Sequence, residues 1–274
     1  MAATLRRGGT VKLSLVIPAR NEAPQIAATI TGLCETLDSA GIVDYEVLVV
    51  DDGSTDDTAA IVAGMAGADG RIRVERNTGP HGFGRAVRVG LERFTGDAVV
   101  VTMADASDDP SDVVEYYRVL RDRAECAFGS RWIRGARRSG YPGLKLGINR
   151  VVNTLIRLMF GLRYNDVTNA FKGYRRCVVD GCRPFVSPHF NLTIEIPLKA
   201  ITRGYTYEVL PIGWRNRVAG TSNLLLKEQG SRYLFVLLSV WFEWLLVRHD
   251  YRRPSSESFR PWRDDEGGVR EGEN

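Results

Sequence analysis

Three short apolar runs each stop at a polar cluster, and that repetition limits what this chain can fold into. Leu13-Ser14-Leu15-Val16-Ile17 leads into Pro18-Ala19-Arg20-Asn21-Glu22, and Val47-Leu48-Val49-Val50 leads into Asp51-Asp52-Gly53-Ser54. Ala98-Val99-Val100-Val101-Thr102-Met103 leads into Asp105-Ala106-Ser107-Asp108-Asp109-Pro110. Each run is too short for a core helix and each precedes a helical pattern, so they read as parallel strands feeding helices. Their C-terminal ends then lie along one sheet edge, where α/β proteins bind ligands. The three polar clusters therefore meet in one cleft, which a solvated charge run would not do.

The third cluster carries the most chemistry. A buried strand that ends in closely spaced carboxylates can hold hard oxygen ligands for a divalent cation. The plainer alternative is a polar strand-to-helix turn in which Asp108 or Asp109 caps a helix beginning near Pro110. Helical spacing is expected over 22–37, 56–65 and 85–94, and a strand over 71–76. The glycine-rich Asn77-Thr78-Gly79-Pro80-His81-Gly82-Phe83-Gly84 before the last of these helices can offer N–H groups to phosphate, but it matches neither a Walker loop nor a dinucleotide fingerprint. Further along, Cys126 to Trp132 reads as a strand with a basic exit, 144–160 as a helix, and 166–175 as a polar turn entering a short strand. A helix is expected over 191–203, an extended segment over 205–212, and a basic segment over 214–223.

With 274 residues, 44% of them hydrophobic and 26% charged, the chain fits one large globular domain or a domain with an appendage. A net charge of +4 is mild, and the basic clusters lack the aromatic interleaving of a single-strand nucleic-acid platform, which argues against nucleic acid as a partner. Cys34, Cys126, Cys177 and Cys182 have no Cys-x-x-Cys spacing and read as thiols in a reducing compartment. No cleavable secretory pattern follows Met1, so a cytoplasmic location is expected. Tyr233 to Val247 is apolar except at Ser239 and Glu243, and at about 1.5 Å per residue it falls short of a hydrocarbon core of roughly 30 Å. Trp241, Trp244 and the flanking Arg232, Arg248, Arg252 and Arg253 suit a helix lying in a membrane interface, the alternative being a helix packed on the main domain or on a sister subunit of a homo-oligomer. The resulting division is 1–226 for the main domain, 227–253 for this helix and 254–274 for a polar, disordered tail.

Taken in order, Val16 to Glu22, Val49 to Ser54, Asn77 to Ala86, Met103 to Pro110, Gly129-Ser130-Arg131 and Arg217-Val218-Ala219-Gly220-Thr221-Ser222 resemble the family 2 inverting glycosyltransferases. The last two motifs point to the polyprenyl-phosphate, dolichol-phosphate mannosyltransferase-like branch. The resemblance implies a glycosyltransferase A fold, an α/β architecture with a mostly parallel Rossmann-like sheet. On that pattern Pro18, Ala19, Arg20, Asn21, Glu22 and Asp52 border the nucleotide, while Asp105 and Asp108 hold Mg2+ or Mn2+ on the diphosphate. Arg131, Arg215 and Arg217 supply charge for an acceptor phosphate, with Asp105, Asp108, Arg131 and Arg217 as the catalytic set. Two departures stand out. The branch commonly reads Asp-Ala-Asp-x-Gln-His-Pro; counted back from Pro110, its two aspartates fall on Ala104 and Ala106, with Asp105 between them and Asp108 at the glutamine, a shift of one that keeps Asp109 as an alternative ligand. The usual lysine after Gly-x-Ser is Asn223.

The activity this implies is inverting, metal-dependent transfer from a GDP- or UDP-sugar to polyprenyl phosphate by a peripheral protein on the inner face of the membrane. A phosphate monoester, with a second pKa of about 6, is largely anionic at neutral pH and needs no base, whereas a hydroxyl acceptor needs a carboxylate opposite the leaving group. Transfer to a sugar hydroxyl in polysaccharide assembly and a catalytically inactive nucleotide-sugar-binding scaffold are the competing readings.

Overall fold

The computed structural model describes residues 11–139, 143–215, 226–253 and 259–262. Its first half runs β1 (Leu13–Ala19), α1 (Ile26–Ser39), β2 (Tyr45–Asp51), α2 (Thr58–Ala68), β3 (Ile72–Arg76), α3 (Phe83–Arg93), β4 (Ala98–Val101) and α4 (Pro110–Asp122). Next come β5 (Cys126–Ser130), β6 (Arg137–Ser139), α5 (Gly143–Phe160), β7 (Lys172–Arg175) and α6 (Arg176–Gly181). The chain continues with α7 (Leu192–Thr202), β8 (Tyr207–Pro211), β9 (Gly213–Arg215), α8 (Leu226–Leu246) and α9 (Arg248–Tyr251).

Among the described residues seven strands form one sheet in the order β3-β2-β1-β4-β7-β5-β8, and β6 pairs with β9 in a small second sheet. β1 is parallel to β2 and β4, β2 to β3, and β5 to β8. β7 alone runs antiparallel, pairing with β4 and β5. The pairing of Val101 with Lys172 shows it: β7 starts at the edge where β4 ends. That places residues 161–171 on the same rim as the acidic cluster.

The central strands are buried on both faces, as a parallel sheet covered by helices requires. Val16, Leu48, Val50, Val99 and Val101 share one core with α3, and Leu15, Ile17, Val47, Val49 and Val100 share the other with α1 and α4. Each such side chain contributes about 1.5–3 kcal/mol by leaving water. Helix α3 lies so close to β1 that a Cβ on Gly90 would overlap the Val16 side chain.

Helix α8 belongs to the same core and is not a separate appendage. Val236, Leu237 and Val240 are buried in it, and the Trp244 ring lies 6.1 Å from that of Phe160. Glu243 pairs with the buried Arg203 at 2.8 Å, and Arg253 pairs with Glu125. Residues 259–262, inside the tail expected to be disordered, dock on the domain. Phe259 and Trp262 lie against the Arg175 guanidinium at 4.4 and 3.6 Å, and the Trp262 N–H donates to the Arg121 carbonyl at 3.0 Å. Two aromatic rings on one cation explain why this short segment is held where its polar surroundings suggested otherwise.

Candidate active site

The first two polar clusters are laced together at the sheet edge. Asn21 takes a left-handed conformation, φ 55°, which asparagine tolerates better than most residues. Its amide oxygen accepts from the Thr55 N–H at 2.8 Å, and its own N–H donates to Ser54 Oγ at 3.1 Å. The Glu22 N–H donates to Thr58 Oγ1 at 2.9 Å, and the Asp52 N–H to the Ala19 carbonyl at 2.8 Å. Arg20 and Asn21 are exposed on this rim, Glu22 is half-buried, and Pro18 and Ala19 are buried at the end of β1. Pro18 lies two residues beyond the last β1–β4 pair, Val16 with Val101, so a residue without an N–H sits where that ladder has ended.

Asp52 stands at the expected edge, but both of its oxygens are engaged in organising the glycine-rich loop. Oδ1 accepts from Asn77 Nδ2 at 2.6 Å and Oδ2 from the Gly82 N–H at 2.7 Å. Gly82 has φ 153° and leaves no room for a side chain, since a Cβ would fall 2.7 Å from the Pro188 carbonyl oxygen. Its neighbour Asp51, which the sequence reading passed over, is fully buried. Asp51 Oδ1 accepts from the Ser54 N–H at 3.0 Å, while Oδ2 lies 3.6 Å from Arg76 Nε with no hydrogen bond among the described residues.

The acidic loop after β4 separates its three carboxylates. Asp109 caps α4, accepting from the Ser111 N–H at 3.0 Å, and pairs with Arg137 at 3.0 Å. The helix-capping alternative thus holds for Asp109. Asp108 Oδ2 accepts from the Met103 N–H at 3.0 Å and Thr102 Oγ1 at 3.3 Å, and Asp105 Oδ1 accepts from the Ser107 N–H at 3.1 Å. Ala106 between them has φ 54°, the turn that brings Asp105 and Asp108 near each other. Burial, reinforced by the Asp105 charge and opposed by Arg131, pushes the Asp108 carboxyl up to about 7. Among the described residues no group of three or more His, Cys, Asp or Glu side chains gathers, so this pair would be the protein's share of a cation's ligands.

A carboxyl raised above its unfolded value of about 3.9 favours the folded state in its protonated form. Its contribution to metal-free stability is fully present below that value and is lost as pH rises through about 7. Asp112, pushed up to about 6 by burial, acts in the same sense. Thermal melts of metal-stripped protein should therefore show a lower midpoint at pH 8 than at pH 5, and Asp108→Asn should flatten that difference. An unchanged slope in the variant would contradict the placement of Asp108.

On the other side of the rim, Arg131 has a partner that sequence reading missed. Its N–H and Nε donate to Asp166 Oδ2 at 2.9 and 2.8 Å, and its terminal nitrogen donates to Oδ1 at 2.8 Å, with both residues buried. The turn carrying Asp166 is pinned by Lys172, whose buried ammonium donates to the carbonyls of Val167, Asn169 and Thr193 and is pushed down to about 7 by burial. The sequence marked 166–169 as a polar turn, but only the antiparallel β7 brings it beneath Arg131.

Arg215 is exposed at the end of β9, and its N–H donates to the Ser107 carbonyl at 3.0 Å. β9 is therefore stitched to the acidic loop, with Asp108 bridging Trp214 and Asp112 accepting from the Gly213 N–H at 2.6 Å. A cavity of about 350 Å³ opens between this strand, α1 and the loop, lined by Asp108, Asp109, Arg137, Trp214 and Arg215 among others. Asp52 and Asp105 lie outside its wall. Arg217 and Asn223 fall outside the described residues.

Residues 14–182 match the family model described as glycosyl transferase family 2. The polyprenol monophosphomannose synthase of Mycolicibacterium smegmatis is 29% identical over 224 residues, covering 78% of this chain and 82% of that protein. The undecaprenyl-phosphate 4-deoxy-4-formamido-L-arabinose transferase of Sodalis glossinidius is 31% identical over 204 residues, covering 68% of this chain and 59% of that protein. Among solved structures, glucosyl-3-phosphoglycerate synthase from Mycobacterium tuberculosis, in complex with Mn2+, UDP-glucose and phosphoglyceric acid, superposes with a TM-score of 0.65 at 23% identity. That superposition covers 84% of this chain and 80% of the other and shows a shared fold. The family match spans β1 through α6, and so takes in both the strand exits that build the rim and the acidic loop between them: the chain belongs to glycosyl transferase family 2.

Proposed function

We propose that this chain transfers a sugar from a GDP- or UDP-sugar to a polyprenyl phosphate, with inversion and with a divalent cation, on the cytoplasmic face of a membrane. The observation that carries the reading is the Asp105–Asp108 pair, two neighbouring acids whose mutual repulsion a cation would relieve. The names of the relatives supply the acceptor class, because both the mannose and the arabinose enzymes are named for polyprenyl or undecaprenyl carriers.

The donor set suits Mg2+ or Mn2+, which are bound by one or two carboxylates together with substrate phosphates. When bound, such an ion supplies Lewis-acid stabilisation of the charge that builds on the leaving diphosphate. Asp105 and Asp108 would hold it, and the backbone bonds from Met103 and Ser107 fix both carboxylates before substrate arrives. Asn21 and Glu22, locked to the β2 loop, would border the nucleotide with Pro18, Ala19 and Arg20. Asp52 would act there by setting the glycine-rich loop, and by whatever contact its carboxylate makes with the base or ribose.

At the acceptor, Arg215 and Arg217 would meet phosphate oxygens, and Arg131 would contribute a fixed charge from behind, oriented by Asp166. An acceptor already anionic at neutral pH needs no proton removed before attack at the anomeric carbon. Tyr233 to Val247 would hold the protein peripherally at the bilayer, since no helix among the described residues is long and apolar enough to cross one.

A donor screen against short-chain polyprenyl phosphate in Mn2+ or Mg2+, read by mass spectrometry, tests the reading. Product appearing only with a sugar-hydroxyl acceptor would overturn it, and donor binding with no transfer to any acceptor would favour a scaffold. Arg215→Ala is the cleaner acceptor probe because its side chain is exposed and no core depends on it. It should raise the KM for polyprenyl phosphate roughly ten- to a hundredfold, in keeping with one charged hydrogen bond of about 1.5–3 kcal/mol, while donor affinity stays unchanged. Arg217→Ala should behave alike. Equal loss of donor affinity would place these arginines on the diphosphate instead.

A further inference from the structure

The glycine-rich loop between β3 and α3 has the composition of a phosphate cradle, yet the structure spends its backbone donors internally. The Gly79 N–H donates to Asn77 Oδ1 at 3.2 Å and the Gly82 N–H to Asp52 Oδ2 at 2.7 Å. In the first turn of α3, the Arg85 N–H reaches the carbonyls of Gly82 and Pro188 at 2.9 and 3.2 Å. Backbone from 188–189 closes over the same helix end, since a Cβ on Gly84 would fall 2.4 Å from the His189 carbonyl oxygen. The Phe83 ring stacks on Phe190 beside it, with centroids 4.2 Å apart. A helix start whose donors are taken and whose face is covered is a poor seat for an anion.

What the loop offers the rim is a side chain. Asn77 Nδ2 donates to the Pro80 carbonyl at 3.2 Å, so the loop is tied at 79, 80 and 82, on either side of His81. The half-exposed His81 ring has Nδ1 3.5 Å from Asp52 Oδ1. It lies over Gly53, whose φ is 74° and where a Cβ would fall 2.3 Å from ring carbon Cε1. Glycine at 53 is therefore what lets the ring approach the exit of β2. Asp52 has committed its oxygens to Asn77 and Gly82, and its charge favours the imidazole tautomer with the proton on Nδ1. That leaves the Nε2 lone pair as an acceptor.

We propose that His81 reads the nucleobase of the donor, with Nε2 accepting the ring N–H that guanine carries at N1 and uracil at N3. Cytosine and adenine have no such N–H. The inference rests on the nucleotide-sugar reading, in which the exits of β1 and β2 border the nucleotide. It gives the glycine-rich loop a part in choosing the base, while the diphosphate is left to the acidic loop and its cation.

The test is calorimetric binding to the full chain in Mn2+, with UDP, GDP, CDP, ADP and inorganic diphosphate as ligands. The parent should hold the better of UDP and GDP at least about tenfold more tightly than CDP or ADP, because those bases leave the Nε2 lone pair unmet. His81→Ala should weaken that preferred nucleotide about three- to tenfold and leave inorganic diphosphate unchanged. His81→Gln, whose amide oxygen can accept the same N–H, should recover part of the loss. Equal weakening of inorganic diphosphate would put the loop on the phosphates and overturn the proposal. Unchanged nucleotide affinity in His81→Ala, or a parent with no preference among the bases, would do the same. Nucleotide binding weakened as expected, with no sugar transfer by any form, would support the base contact and defeat the transfer reading.

Discussion

Asp108→Ala should lower kcat/KM for sugar transfer by about a thousandfold, and Asp105→Ala by a similar factor, with the fold intact by circular dichroism. The size follows from the several kcal/mol that a preorganised cation contributes to charge on a leaving diphosphate, at about 1.4 kcal/mol per tenfold. Fold retention follows from the local geometry, since among the described residues the Asp108 carboxyl accepts two short-range bonds and its charged form is disfavoured by burial. Asp109→Ala is the internal control. It removes a helix cap worth about 1 kcal/mol and should leave turnover nearly unchanged. Chelation should reproduce the first two substitutions, with recovery on adding Mn2+ or Mg2+. Near-normal turnover of Asp108→Ala at saturating metal would remove it from the site.

Arg131→Ala should be a stability mutation before it is a catalytic one. It strands the Asp166 carboxylate in the interior without the two guanidinium hydrogen bonds it now accepts, leaving the one from the residue 131 N–H, and breaking such a pair costs about 3–5 kcal/mol. The melting midpoint should fall by roughly 10 °C for a chain of this size. Asp166→Ala should do the same, and Arg131→Met with Asp166→Leu should recover part of the loss, because no unpaired charge remains. A melting midpoint equal to the parent's for Arg131→Ala, alongside failed acceptor use, would show that Arg131 serves the acceptor and not the fold.

The sheet was legible because its central strands are continuous apolar runs with polar exits, and length separates such runs from helices. Its reversal at β7 was not legible. Lys172 to Arg175 looks like any short strand, and direction depends on which edge the chain occupies after α5, a tertiary fact. The rim was readable at Asn21, Asp105 and Asp108 because loop chemistry follows strand ends. It was opaque at Arg131, where a surface-like arginine proved buried, since Asp166 lies thirty-five residues away in sequence. Asp51 was obscured for another reason: two adjacent acids at a strand end differ only in which one the pleat turns inward. The tail signal lay in Phe259 and Trp262, two aromatics in a polar stretch, and only the position of Arg175 gives them a purpose.

Helix α8 is fastened to the catalytic body by its buried stripe, by Glu243 on Arg203, and beyond its end by Arg253 on Glu125 and the aromatic clasp over Arg175. Mechanically it is a rivet and not a tether. Among the described residues, force applied to its outer face passes into α7 through Arg203, and beyond the helix end into β7 and the end of α4. Any surface that grips α8 therefore fixes the tilt of the whole sheet, and the bearing of its catalytic rim is set at the moment of contact.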